Sequence, residues 1–313
     1  MSNTVDIQPA KPLAYIVFDS NLAENKNNTQ AQLFVEQLAQ RCGLAVIAPS
    51  QIANYADAIK IILTDGQWRV HLDSGGAIVS VDFAEPRFYA RVNSPGLQGE
   101  YVIRAVLGRK KIAQPLTVLD ATAGFGYDAF LLAAAGCRVI LVEQMPLLAY
   151  LLEQAVQRAT MNASELLSSA AERMTVIEAN SGTLMEQWSD SRPDVVYLDP
   201  MYAHADIETK RGLKKTAAVK KNMAFLQRLT TYQSAANAGQ ANNAAQNNVS
   251  QNNVSQSNAA QNSDGQGLIE AALKLAKSKV VVKRAPGAEW LGGLKPASSL
   301  TGKATRFDIY PVN

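Results

Sequence analysis

The sequence predicts an α/β protein: an open, mostly parallel sheet with helices on both faces, preceded by a small α+β region. Two observations carry this. From Leu116 onward, short apolar and β-branched runs alternate with segments of helical periodicity, the pattern of βαβ units. The first unit reads TVLDATAGFGYD over 117–128: an apolar run ending in Asp120, a turn holding Gly124 and Gly126, then a helical pattern from Ala129. Strand, glycine turn and helix is the unit that lets a nucleotide-like ligand come against backbone past the carboxyl end of a strand.

In chain order, residues 1–12 are polar with two prolines and predict a loose terminus. Tyr15 to Phe18 reads as a strand. Ala31 to Arg41 reads as a helix, with Leu33, Phe34 and Leu38 on one face and Gly43 as its stop. Residues 59–63, 68–72 and 78–83 read as a three-strand meander turned by Asp65-Gly66 and Gly75-Gly76. Residues 1–90 therefore form the small α+β region, and 91–313 the larger domain. Within 91–111 a Ser-Pro-Gly turn leads into a helix ending at Leu107, followed by Arg109, Lys110 and Lys111; the stretch reads as a linking helix with a solvated basic end, or else as a contact to a nucleic-acid backbone or a wall of the ligand site.

The sheet's predicted strands are 118–120, 138–143, 174–178, 194–199 and 279–283, with a closing pair over 297–312 around Gly302 that supplies an antiparallel member. Predicted helices fall at 128–135, 146–161, 183–188, 217–229 and 268–276; Pro146 sits in a first turn, where its missing N–H costs little. Residues 231–266 are almost entirely Asn, Gln, Ala and Ser and contain the tandem repeat QNNVS–QNNVS at 246–255. Such a segment buries too little apolar surface to offset its ordering entropy, so it reads as a disordered insert.

Composition narrows the class. At 313 residues and 47% hydrophobic content the chain can bury a sizeable core. A net charge of +3 is too weak to prove a nucleic-acid partner, so local charge runs must decide. Cys42 and Cys137 have no CxxC spacing, which argues against zinc ribbons and disulfide frameworks. His71 and His204 have no evident ligand partners, and no metal is expected. The first residues lack the pattern of a signal peptide and no apolar run reaches spanning length, so no membrane association and a cytoplasmic location are expected.

Four features fall at the carboxyl ends of successive predicted strands: the Ala123–Gly126 turn, Glu143, Asn180-Ser181 and Asp199-Pro200-Met201-Tyr202. Parallel strand ends lie on one side of a sheet, so these groups can share one crevice. Gly124 and Gly126 clear space for a ligand, Glu143 can accept from ribose hydroxyls, and Asn180-Ser181 can face an adenine edge. Asp199 and the carbonyl of Pro200 offer acceptors, and Tyr202 offers a ring that stacks on a base. A dinucleotide site prefers GxGxxG, whereas here Asp128 stands where a third small residue belongs. A site for S-adenosylmethionine tolerates this, because that ligand has no pyrophosphate to seat. The Asp-Pro-x-aromatic turn also suits methyl transfer to an exocyclic amine, whose ring-delocalised lone pair needs acceptors on its hydrogens and a stacked base to aim it. Lys210, Arg211, Lys214, Lys215, Lys220 and Lys221 follow this turn and read as phosphate contacts, with Lys283 and Arg284 extending the surface.

The sequence resembles the J-type family of bacterial small-subunit (16S) ribosomal RNA guanine-N2 methyltransferases. The likeness rests on VDF (81–83), LDATAGFGYDAF (119–130), GCRVILVE (136–143), VVYLDPMY (195–202), VKKNM (219–223), KVVVKR (279–284) and RFDIY (306–310). It covers roughly 80–310 apart from the insert. The resemblance implies a Rossmann-like class I methyltransferase sheet of seven strands, S-adenosylmethionine as donor, and a guanosine of 16S ribosomal RNA, or of the small ribosomal subunit, as acceptor. It places the donor site at Tyr127, Asp128, Glu143, Gln144, Asn180, Ser181 and Asp199; the strand-end reading adds Asp120, Gly124 and Gly126 to that site and sets catalysis at Asp199, Pro200 and Tyr202. The family usually carries Arg where Tyr127 stands, and lacks the Asn/Gln-rich insert. Alternatives are an amino-methyltransferase acting on DNA adenine or protein glutamine, an NAD-dependent oxidoreductase, and a noncatalytic RNA-binding module.

Overall fold

The computed structural model describes residues 15–17, 28–43, 45–47, 59–64, 67–72, 77–108, 114–200 and 256–312. Tyr202, the basic residues 210–221 and the predicted helix at 217–229 lie outside them. The chain divides into two compact units, the first holding the described elements up to Ser80 and the second those from Val81 onward.

In the first unit, β1 (Tyr15–Val17) pairs in parallel with β2 (Ala45–Ile47), joined through α1 (Asn28–Cys42). The buried positions of α1 include Val35, Leu38 and Ala39; Leu33, expected inside, is 53% exposed. Strands β3 (Ile59–Thr64), β4 (Gln67–Leu72) and β5 (Ala77–Val79) form the expected antiparallel meander.

The boundary between the units lies nearer 80 than the expected 90. Val81 and Phe83 are buried in the second unit, where Arg158 Nη2 donates to the Val81 carbonyl at 2.6 Å and Phe83 stacks on Phe130 at 4.3 Å. A helix that patterning missed, α2 (Pro86–Val92), follows. It starts on Pro86, and the Glu85 carboxylate accepts from Phe88 N at 3.0 Å. A 3-10 turn (Leu97–Gly99) leads into α3 (Tyr101–Leu107).

The second unit is a seven-stranded sheet. Its elements in order are β6 (Thr117–Asp120), α4 (Tyr127–Ala134), β7 (Arg138–Glu143), α5 (Pro146–Thr160), α6 (Glu165–Ala171), β8 (Met174–Glu178), α7 (Ser181–Glu186), β9 (Val195–Leu198), α8 (Gln256–Leu275), β10 (Lys279–Arg284), β11 (Ser298–Thr301) and β12 (Arg306–Pro311). The strand order is β11-β12-β10-β9-β6-β7-β8. Neighbours from β10 to β8 are parallel, while β12 runs antiparallel to both β10 and β11. Every residue of β9 is buried, as befits a central strand covered on both faces. One face packs Leu119, Val196 and Val282 against Ile269, Ala272 and Leu275 of α8.

Helix α8 begins at Gln256, so 256–266 of the expected disordered insert is helical. Its packed part nucleates the helix, and extending an existing helix costs far less than starting one. At its end, Arg192 donates to the carbonyls of Lys274, Leu275 and Ala276 at 2.7–2.8 Å, satisfying groups the last turn leaves open.

Among the described residues no helix is long and apolar enough to cross a membrane.

Candidate active site

The strand order reverses direction around β6. The chain goes from β6 to β7 and β8 on one side, then crosses to β9 and β10 on the other. A crevice outside the carboxyl ends of β6 and β9 is the place such a sheet offers a ligand.

The turn after β6 is sewn to both neighbours. Ala121 N donates to the Tyr197 carbonyl at 3.0 Å and Ala123 N to the Val142 carbonyl at 3.1 Å. Asp199 N, just past β9, donates to Thr122 Oγ1 at 2.5 Å. Thr122 was not singled out from the sequence, because a lone turn threonine carries no chemical signature.

The two glycines differ. Gly124 (φ 56°) has nothing nearer to a would-be Cβ than the Thr122 carbonyl at 3.9 Å, so a ligand can come against its backbone. Gly126 (φ 71°) faces the core: a Cβ there would lie 2.6 Å from Leu152 Cδ1 and 3.3 Å from Leu141 Cδ2. Its glycine is demanded by packing and backbone, and the expectation that it clears space for a ligand is corrected. The Tyr127 ring packs edge-on to Phe88 at 4.8 Å, and burial raises its phenol pKa.

Glu143 is 7% exposed and holds the turn from β7: Oε2 accepts from Gly124 N at 3.0 Å and Oε1 from Met145 N at 2.8 Å. Burial raises its pKa, opposed by these backbone donors and that of Gln144. With three backbone donors on two oxygens, the carboxylate keeps a further lone pair for a hydroxyl. Beyond β8, Asn180 caps α7 through Thr183 N at 3.1 Å and donates to Gln144 Oε1 at 3.2 Å. Both side chains are exposed beside each other, while the Ser181 hydroxyl donates to the Ala121 carbonyl. Asp120 is 2% exposed, accepts from Thr122 N at 3.1 Å, and burial pushes its carboxyl up to about 8.

Asp128, Asp199 and Lys283 form the polar centre. Lys283 Nζ lies 2.6 Å from Asp128 Oδ2 and 2.9 Å from Asp199 Oδ2, and Tyr197 Oη donates to the same Asp128 oxygen at 2.7 Å. Burial works against the Lys283 charge, but the two carboxylates outweigh it and hold the ammonium above the usual lysine pKa. Burial, then Asp128, Asp199 and Asp120, keeps the Tyr197 phenol protonated well above its usual range. The expectation that Lys283 and Arg284 extend an RNA-binding surface is thereby corrected. Lys283 is engaged with carboxylates inside the crevice, and Arg284 is 5% exposed with Nε donating to the Glu289 carbonyl at 3.0 Å. Strand alternation places these neighbours on opposite faces, and neither face is open solvent.

This donor set fits S-adenosylmethionine. Carboxylates suit its sulfonium and ammonium charges, the Gln144–Asn180 pair suits an adenine edge, and the open side of Gly124 admits its chain. A switch-point crevice of this chemistry on a sheet with β12 reversed defines the class of S-adenosylmethionine-dependent methyltransferases.

A family model described as SAM-dependent methyltransferase matches residues 38–250 and 250–312. The chain is 35% identical over 275 residues to ribosomal RNA small subunit methyltransferase J of Stutzerimonas stutzeri, covering 88% of this chain and 89% of that one. It is 37% identical over 290 residues to the protein of the same name from Vibrio vulnificus, covering 90% and 97%. A crystal structure of a SAM-dependent methyltransferase from Neisseria gonorrhoeae superposes with a TM-score of 0.61 at 27% identity, covering 95% of each chain. The chain belongs to the ribosomal RNA small subunit methyltransferase J family.

Proposed function

We propose that this protein methylates the exocyclic N2 of a guanosine in small-subunit ribosomal RNA. The observation that carries this reading is the Asp199-Pro200 turn at the switch point. Its backbone is pinned to the glycine turn through Thr122, and its carboxylate is held by Lys283 beside Asp128. The relatives named for ribosomal RNA methylation support the acceptor class.

S-adenosylmethionine, when bound, supplies an electrophilic methyl on a sulfonium. Glu143 takes ribose hydroxyls, Gln144 and Asn180 the adenine edge, and Asp128 the methionine ammonium. Asp199 and the Pro200 carbonyl accept the two N2 hydrogens of guanine, localising the nitrogen lone pair and aiming it at the methyl. Tyr202 stacks on the base and fixes its height, and the residues at 210–221 take RNA phosphates. The N–C bond would form as the S–CH3 bond breaks, leaving the donor as its neutral thioether, and Asp199 would take the N2 proton and pass it to water. Positioning carries the rate: two acceptors and a stacked base remove the rotational freedom of a weak nucleophile.

The test is acceptor choice. Tritiated S-adenosylmethionine is incubated with the protein and, separately, small-subunit ribosomal RNA, small subunits, adenine-bearing DNA and a glutamine-bearing protein. Label confined to guanosine of the ribosomal acceptors is expected; label in adenine or glutamine refutes the assignment.

A further inference from the structure

We propose that Lys283 is a positioning residue for methyl transfer: its ammonium clasps Asp128, on the donor side, to Asp199, on the acceptor side, and keeps both as carboxylate acceptors. This rests on the functional reading above.

The geometry is specific. One Nζ lies within 3 Å of a carboxylate oxygen on α4 and of another just past β9. The Lys283 side chain is 23% exposed, and those of Asp128 and Asp199 are 17% and 25% exposed, so water screens the group only partly. Two carboxylates sharing such a space repel, and without a cation one of them retains a proton to higher pH. A protonated Asp199 presents a donor where the amine needs an acceptor. A protonated Asp128 loses its attraction for the donor's ammonium. One cation therefore sets both halves of the site.

Among the described residues, the other charges near the pair do not replace it. Asp120 and the Tyr197 phenol face the cluster from β6 and β9, and both are acids. Arg91 feels Asp128 but is committed to Glu100, with two hydrogen bonds of 2.7 Å. Glu100 adds negative charge near Asp128, and Arg284 feels Asp199 but is turned toward the Glu289 carbonyl. Among the described residues, Lys283 is the cation in direct contact with both carboxylates.

The experiment compares wild type with Lys283→Met, which keeps the length of the side chain without its charge, and Lys283→Arg. kcat at saturating donor and small-subunit RNA is measured from pH 5.5 to 9.5, donor affinity by calorimetry over the same range, and RNA affinity by filter binding. Lys283→Met is expected to lower kcat at pH 7 by roughly tenfold to a hundredfold. Its acid limb moves up by about one pH unit, so the defect shrinks as pH rises. Donor affinity falls on the acid side, and RNA affinity changes by less than about threefold, the loss of one phosphate contact being larger. Lys283→Arg keeps the wild-type limb at reduced kcat.

A loss of equal size at every pH marks a merely structural role and overturns the proposal, as does a loss confined to RNA affinity. If Lys283→Met does not fold, a displaced limb in Lys283→Arg overturns it. Donor affinity needs no acceptor, so it judges the clasp even if wild type fails to label guanosine. That failure would count against the acceptor assignment alone.

Discussion

Thr122 Oγ1 accepts a hydrogen bond from Asp199 N at 2.5 Å, joining the glycine turn after β6 to the Asp-Pro turn after β9. The two loops proposed to face donor and acceptor are thus one hydrogen-bonded unit at the switch point. Thr122→Val keeps the shape and removes the acceptor. It leaves a partly buried N–H unsatisfied and should cost about 1–3 kcal/mol of stability in denaturant unfolding. It should also lower kcat about tenfold with little change in donor affinity, because the Asp199 turn and not the donor seat loses its anchor.

On the proposed mechanism, Asp199→Ala removes the acceptor for the amine. Methyl transfer to RNA should fall by about a thousandfold or more, and RNA binding should change little. Single-turnover rates and filter binding separate the two. A noncatalytic RNA-binding module would show no such split.

The glycines predict opposite effects. Gly126→Ala forces a Cβ to 2.6 Å from Leu152 Cδ1 at a positive φ, and should destabilise by about 2–4 kcal/mol. Gly124→Ala meets nothing nearer than the Thr122 carbonyl at 3.9 Å at a positive φ and should cost about 1 kcal/mol, but it fills the side left for the ligand. Thermal unfolding and donor calorimetry on the two variants should show Gly126→Ala failing in the first and Gly124→Ala in the second.

Asp120 predicts a pH dependence of stability. Burial raises its pKa from an ordinary 3.8 to about 8 in the folded chain. Between those values the folded state holds a proton that the unfolded state has released. Its contribution therefore falls as pH rises from about 4 to about 8. Asp120→Asn keeps an acceptor for Thr122 N and removes the titration. Relative to wild type it should gain stability across that window, on the order of a few kcal/mol at pH 8, with no gain near pH 4.

Much of the frame was legible in the sequence because it is local. The run TVLD, the glycines at 124 and 126 and the Glu143 strand end are each set by contiguous residues, and the βαβ alternation orders them. What stayed hidden depends on contacts distant in the chain. Lys283 lies 155 positions beyond Asp128, and beside Arg284 it reads as a basic pair on a surface. Gly126 reads like Gly124 until Leu152 is seen against it. RFDIY carries the family likeness without showing its use: Arg306 and Ser299 are spent on Asp308, which is fully buried and steadies β12. Helices α2 and α6 are only seven residues each, too short for a periodic signal. The polar start of α8 reads as low complexity because its helicity is borrowed from the packed turns that follow.

The central claim is that the Asp199 turn methylates guanine N2 in small-subunit ribosomal RNA. Its most direct test is nucleoside mass spectrometry of that RNA from a strain lacking this protein, complemented with wild type or Asp199→Ala. The account predicts N2-methylguanosine at one site, absent in the deletion, restored by wild type and not by Asp199→Ala. An unchanged nucleoside profile in the deletion, or restoration by Asp199→Ala, would contradict it.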